Sequence, residues 1–281
     1  MTNKKILFTG GNGFIGRQII PLIEGAGYDV VRPRSSQVRL EVDEEVATLF
    51  SDGQHYDAII HAAIVGGRRD VDDDWGVMHT NLNMFETLYK YIDHTDMFIN
   101  LDSGASYGRP APVPEPSPQD FGQVIPGDPY GFSKYIIAKR VLADSKGVNL
   151  RIFGCFGEHE ESTRFFNTNI NRYIDHQPIQ LVKDRKMDFI YAGDLYKIIK
   201  YYLDGNDAPK DLNCVYKRKY MLSDIAEIIN RLGPYKVDIQ SEGQFSVFPY
   251  IGKANDLPIE YDGLVNGIRK VYEKYLCQRD V

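Results

Sequence analysis

Ile6-Leu-Phe-Thr-Gly10-Gly-Asn-Gly13-Phe-Ile-Gly16 is the stretch whose reading decides the fold. A short apolar run ends in glycines at positions 10, 13 and 16, and the residues that follow take up helical periodicity. Glycines in that context permit a tight turn and a close approach of backbone to ligand. A helix that begins among them presents the positive end of its dipole to a pyrophosphate. Gly10, Gly13, Phe14, Ile15 and Gly16 are therefore read as a dinucleotide cradle.

Outward from this loop, apolar runs at 6–9, 28–31, 58–61, 97–101 and 149–153 read as strands. Helical patterns at 14–24, 44–50, 81–92 and 130–145 separate them, with Pro21 an expected kink in the first. Such alternation marks βαβ units, so the expected fold is α/β: a Rossmann-type, doubly wound parallel sheet. Beyond residue 155 the alternation lapses, with helices expected at 166–174, 194–202, 223–232 and 264–275. The expected organisation is a cofactor domain over 1–155, with a return segment near 187–203, and a smaller α/β substrate domain over 156–281. The proline-rich run 109–118 reads as an extended connector, or as a stiff loop beside a substrate mouth.

With 281 residues, 43% of them hydrophobic, the chain is long enough to bury a full core. A net charge of −6 disfavours a general nucleic-acid or anionic-membrane binder and suits small-molecule chemistry. Cys155, Cys214 and Cys277 are scattered without metal-ligand spacing, which points to reduced thiols, no bound metal and a cytoplasmic setting. The first ten residues hold too short an apolar run for a signal peptide or a membrane span.

The second expected strand runs into Arg32-Pro-Arg34, where an NAD-preferring site places a carboxylate for the ribose hydroxyls. Arginines suit a 2′-phosphate instead, hence NADPH; the alternative is a solvated basic turn. His61, Ala62 and Ala63 either line the adenosine side of the cradle or pack closely on a helix. Asn81 either orients backbone near the nicotinamide or caps a helix.

Tyr130-Gly-Phe-Ser-Lys134 supplies a phenol and, one helical turn on, an ammonium on the same face. A nearby ammonium favours phenolate, and a phenol so tuned can pass a proton to a carbonyl oxygen during hydride transfer. In a chain with 19 Tyr and 33 Lys and Arg, the pair gains its weight from the glycine loop upstream.

Taken together, the glycine loop, Val31-Arg-Pro-Arg34, His61-Ala-Ala-Ile-Val-Gly-Gly67, Leu101-Asp-Ser103-Gly-Ala-Ser-Tyr-Gly108 and Tyr130-Gly-Phe-Ser-Lys134 resemble the extended short-chain dehydrogenases/reductases that act on nucleotide-sugars. The nearest branch is similar to GDP-fucose synthase and related 4-keto-sugar reductases. Weaker support comes from Arg151-Ile-Phe-Gly-Cys-Phe-Gly157 and Asp188-Phe-Ile-Tyr-Ala-Gly-Asp194. The resemblance implies that Ser103 bonds the substrate carbonyl beside Tyr130, that Lys134 also holds the nicotinamide ribose, and that Phe153 borders the cofactor. It implies a nucleotide-sugar substrate near Ser103, Gly104 and Arg164, and it makes a homodimer the expected assembly type.

Departures from the family pattern narrow the reaction. Gly104 and Ala105 stand where dehydratases of the family resemble one another in carrying Asp-Glu, so dehydration is not expected. Ala105 also replaces the cysteine with which fucose synthases epimerise, which implies ketone reduction without C3/C5 epimerisation. Gly154 replaces a family Asn, and Met187 replaces an Arg that commonly meets the substrate diphosphate. Arg164, Lys183, Arg185 and Lys186 are nearby candidates for the lost charge, although such a run is usually a solvated turn.

Overall fold

The computed structural model describes residues 4–67, 72–246 and 248–279. The first half runs β1 (Lys5–Thr9), α1 (Phe14–Gly25), β2 (Asp29–Val31), α2 (Asp43–Ala47), β3 (Ala58–His61), α3 (Trp75–Tyr89), β4 (Phe98–Ser103), α4 (Pro129–Leu142) and β5 (Gly147–Ile152). There follow β6 (Cys155–Phe156), α5 (Phe165–Ile174), β7 (Ile179–Asp184), β8 (Ile190–Tyr191), α6 (Ala192–Leu203), β9 (Asp211–Cys214), α7 (Leu222–Ile229), β10 (Ile239–Phe245) and α8 (Gly263–Arg279).

Six strands form one parallel sheet in the order β2-β1-β3-β4-β5-β9. The chain moves from β1 to β2 on one side and then crosses to β3 on the other. The topological switch point therefore lies between β1 and β3, where the register pairs Thr9 with His61. Alternate residues of β1 explain why both faces are covered. Ile6 and Phe8 join a core with Ile19, Ile20 and Ile23 of α1 and Leu195, Ile198 and Ile199 of α6. Leu7 points the other way, into a core with Phe85 and Leu88 of α3 and Ile137 and Val141 of α4.

Helix α3 begins six residues before the expected start, because Asp74 caps it by accepting from the Gly76 amide at 2.8 Å. The expected helix at 44–50 is a five-residue helix followed by a 3-10 turn, Thr48–Gly53, broken by Asp52 at φ 54°. Pro21 lies within α1, which runs on to Gly25. The main sheet also takes β9, which lies beyond both 1–155 and the expected return at 187–203. A second core gathers Phe156, Phe166, Ile170, Ile225, Ile268 and Val271, beside the two-stranded parallel pairs β7-β10 and β6-β8. Among the described residues, no helix is long and apolar enough to cross a membrane.

Candidate active site

The loop after β1 closes tightly. Gly10 adopts φ 71°, a conformation costly for a residue with a Cβ, and a Cβ there would lie 2.6 Å from the Ala63 nitrogen. At Gly16 a Cβ would lie 2.5 Å from the Gly11 Cα, so only glycine lets α1 pack on the loop. The Gly13 amide donates to the Gly10 carbonyl at 2.9 Å, and Gly13 serves as the N-cap of α1 without a side-chain cap. No acidic residue stands in the first turn of α1, which leaves its positive end available to an anion. Phe14 and Ile15 pack against the first core and anchor that turn. This cradle, which a Cβ would fill, fits a dinucleotide pyrophosphate.

Arg32 follows β2 directly, and its Cβ lies 3.1 Å from where a Gly11 Cβ would stand. Its guanidinium is half exposed, 4.0 Å from Glu24. Arg34 is also exposed, and its backbone amide donates to Gln37 at 3.1 Å. Arg32 thus borders the cradle, with Arg34 two residues further along the chain.

His61 turns inward. Its Nδ1 lies 3.0 Å from the Thr9 hydroxyl and its ring leans on Phe85 and Phe98. Burial, reinforced by the Lys134 charge, pushes its pKa down to about 3, so the ring is neutral. The part of this segment against the glycine loop is the backbone of Ala62 and Ala63. Asn81 lies inside α3, and the cap of that helix is Asp74. The Asn81 side chain accepts from the Val65 amide at 2.9 Å and donates to the Val65 carbonyl at 3.0 Å and to the Ser133 hydroxyl at 3.2 Å, tying the loop after β3 to α4.

Ser103 ends β4, and Tyr130 opens α4 behind Pro129 and the Asp128 cap, which accepts from the Gly131 amide at 2.8 Å. The Ser103 hydroxyl stands near enough to the Tyr130 phenol to favour its ionised form. The Tyr130 ring packs so closely on Gly67 that a Cβ there would lie 2.6 Å from Cε2. Lys134 lies buried one turn on, and its ammonium donates to the Leu101 carbonyl at 2.7 Å. Burial pushes its pKa down to about 8 against the pull of Asp102. Tyr130 moves opposite to the expectation from the ammonium alone. Burial, then Tyr250, raises the phenol, while the Ser103 hydroxyl and Arg109 oppose the rise.

Asp102, next to Ser103, belongs to a buried network. It accepts from Arg151 Nε at 2.8 Å and from the Ser106 hydroxyl at 2.8 Å, and Arg151 also reaches the Tyr107 hydroxyl at 2.8 Å and Asp211 at 3.1 Å. This network cross-links strands β4, β5 and β9 next to Ser103 at the end of β4.

Three groups at this site join it only through the tertiary fold. Tyr250 places its hydroxyl 3.4 Å from Ser103 Oγ, with its backbone pinned to Lys186 and Asp188 at 2.9 Å each. Arg109 lies over the rings of Tyr130 and Tyr250, at 6.0 and 5.9 Å from their centroids. Arg185 lies 5.8 Å from the Tyr250 centroid. Arg109 opens the proline-rich run that reads as a connector or a stiff loop beside a substrate mouth, whereas no signal in the sequence singles out Tyr250.

Phe153 faces Gly104, where a Cβ would lie 2.5 Å from its ring, and meets Tyr250 edge-on at 5.2 Å. Arg164 precedes α5 and pairs with Glu160 at 3.2 Å. The two departures also have packing reasons. Met187 is buried in the second core, where a guanidinium would be desolvated, and a Cβ on Gly154 would lie 2.6 Å from the Phe189 ring.

The NAD dependent epimerase/dehydratase family model matches residues 6–214. A relative named as a putative UDP-glucose 4-epimerase, from Methanocaldococcus jannaschii, is 27% identical over 223 residues, 68% of this chain and 71% of its own. Among solved structures, the GDP-mannoheptose C4 reductase from Campylobacter jejuni, with NADP bound, aligns at TM-score 0.81 and 14% identity over 98% of this chain and 99% of its own. The GDP-L-fucose synthetase from Naegleria fowleri, bound to NADP, aligns at 0.79 and 12% over 100% and 95%. The UDP-N-acetylglucosamine 4-epimerase from Bacillus cereus aligns at 0.78 and 19% over 99% and 98%. These structural likenesses reach across both halves of the fold. Since the family match alone spans well over half of the chain, the protein belongs to the NAD dependent epimerase/dehydratase family.

Proposed function

We propose that the protein is an NADPH-dependent reductase of a nucleotide-activated 4-keto-6-deoxy sugar, acting at C4 without C3/C5 epimerisation, in deoxy-sugar biosynthesis. The observation that carries this reading is that α4 packs Tyr130 on Gly67 and sets the Lys134 ammonium on the Leu101 carbonyl, two residues before Ser103 at the end of β4. NADPH, when bound, supplies the hydride. Ser103 donates a hydrogen bond to the carbonyl oxygen and orients it, and Tyr130 delivers the proton as negative charge develops there. A phenol that burial keeps protonated suits a proton donor. Lys134, one turn along α4, holds the nicotinamide ribose and adds positive charge behind the phenol. Arg32 and Arg34 bind the 2′-phosphate.

Absence of epimerisation follows from Ala105, a buried methyl where a thiol would be needed. Cys155 is itself buried, and that burial pushes its pKa up to about 12, far from a working acid/base. A second reading, a nucleotide-sugar 4-epimerase that retains NAD, draws support from the names of two similar proteins. The same Ser, Tyr and Lys would serve it, but the two arginines after β2 favour NADPH. The test is the loss of NADPH absorbance with a panel of GDP-, CDP-, dTDP- and UDP-linked 4-keto-6-deoxy sugars. Rapid oxidation with one member is the expected result. Silence across the panel, with NAD carried through purification, would favour the epimerase.

A further inference from the structure

Lys134 rests on the backbone of β4, where its ammonium donates to the Leu101 carbonyl at 2.7 Å. Side chains of a strand alternate between faces, and Phe98 shares a core with Ile137 and Val141 of α4. Asn100 and Asp102 therefore turn toward α4 on either side of Leu101, which itself packs in the opposite core. On β3, His61 stands in register with Asn100. All four polar side chains are buried, and among the described residues His61 Nε2, Asn100 Oδ1 and Asp102 Oδ1 have no hydrogen-bond partner. An ammonium carries three donors, and the Leu101 carbonyl takes one of them.

The two oxygens of Asp102 are unequal. Oδ2 accepts from Arg151 Nε and from the Ser106 hydroxyl at 2.8 Å each, and from Asn149 Nδ2 at 3.2 Å, which fixes the carboxylate and leaves Oδ1 uncommitted. Arg151 also pairs with Asp211 at 3.1 Å. Two carboxylates against one guanidinium leave one negative charge unmatched in this cluster, and Lys134 is a buried cation beside it. The other groups around Lys134 cannot match its charge. His61 on β3 is neutral, Arg151 on β5 and Arg109 over the Tyr130 ring are themselves cations, and α3 presents the uncharged Asn81. In the turn after β4, Tyr107 is hydrogen-bonded to Arg151 and Asn213, and on α4 itself Tyr130 is a phenol that burial keeps protonated. Burial pulls the Lys134 pKa down to about 8, and Asp102 opposes the fall.

We propose that Asp102 is a positioning residue for the reaction, whose free oxygen keeps the Lys134 ammonium charged at the end of β4 while Arg151 holds the carboxylate in place. What that charge serves, the cofactor ribose and the Tyr130 phenol, rests on the role given above to Lys134.

Asp102→Asn keeps the shape of the side chain and removes its charge. An isotope label at the lysine ε-carbons lets NMR follow the titration of Lys134 in the full chain, its signal identified as the one lost in Lys134→Arg. Wild type is expected to titrate near pH 8. Asp102→Asn should titrate about 1–3 pH units lower, the usual effect of removing a close opposite charge. NADPH titrations over the same range give the second readout. Affinity falls as pH rises through the Lys134 value, because the ammonium is the form that donates to a ribose hydroxyl. In the variant that fall comes at lower pH and is recovered on acidification, whereas a merely structural defect would weaken binding equally at every pH. Asp102→Ser, also uncharged, repeats both measurements if the asparagine variant unfolds. Coincident Lys134 titrations in wild type and a folded variant overturn the proposal, as does a wild-type Lys134 that is already neutral at neutral pH. A shifted Lys134 with superimposed NADPH curves overturns it too, since the charge would then serve nothing that the cofactor meets. No sugar enters either measurement, so silence of the keto-sugar panel, which would fail the reductase reading, leaves this result standing.

Discussion

The hydroxyl of Tyr250 lies 3.4 Å from Ser103 Oγ across 147 residues of chain. The contact ties the second half of the molecule to the end of β4, and so puts the residues that would recognise a substrate against those that would reduce it. Phe153 supports it from below, edge-on to the Tyr250 ring.

Tyr130→Phe keeps the ring that packs on Gly67 and removes only the proton donor. Turnover is expected to fall by about 10²–10⁴-fold. NADPH affinity, measured by fluorescence titration, should be unaltered. Substantial residual turnover would remove Tyr130 from the role of acid.

Arg32→Ser with Arg34→Ser tests the cofactor preference. Both side chains are exposed, and Arg32 borders the cradle, so neither carries the fold. NADPH affinity should drop at least about tenfold, the usual scale for charge-assisted bonds, while NADH affinity holds. Equal loss for both cofactors would show that the arginines do not read the 2′-phosphate.

His61 makes stability sensitive to acid. Its folded pKa of about 3 lies below the ordinary value of 6.5, so between these limits the unfolded chain binds the proton and the folded chain does not. Stability is fully present above pH 6.5 and is lost as pH falls toward 3, by up to about 1.4 kcal/mol per pH unit. Urea midpoints of His61→Gln measured across this window should fall less steeply than those of wild type. Parallel curves would contradict the assignment.

Arg151→Ala should be costly, because it strands Asp102 and Asp211 without their cation beneath the site. Breaking one side of a buried ion pair typically costs about 3–5 kcal/mol. Thermal unfolding followed by circular dichroism would report it, and a change under 1 kcal/mol, about the worth of a surface pair, would show that the network is dispensable.

Most of the first half was legible because its signals are local. The continuous apolar run of β1 and the 3.6-residue period of α1 lie within a few residues of each other, and the steric demands at Gly10 and Gly16 come from adjacent turns of chain. The boundary of α3 moved because one side chain, Asp74, outweighs a weak periodic pattern. The direction of the Tyr130 shift was not legible. The ammonium at i+4 can be counted from the sequence, but the burial that opposes it depends on what covers the phenol.

The sequence by itself determined the doubly wound sheet, the glycine-rich loop, the basic turn after β2 and the placing of Tyr130 and Lys134 one helical turn apart, since each rests on residues a few positions apart; Ser103 entered only through the family resemblance. Only the tertiary structure decided that β9 closes the sheet, that Met187 is core, and that Arg109, Arg185 and Tyr250 meet in front of Ser103. Those placements depend on packing between segments dozens of residues or more apart, and no local pattern encodes which distant surfaces bury each other.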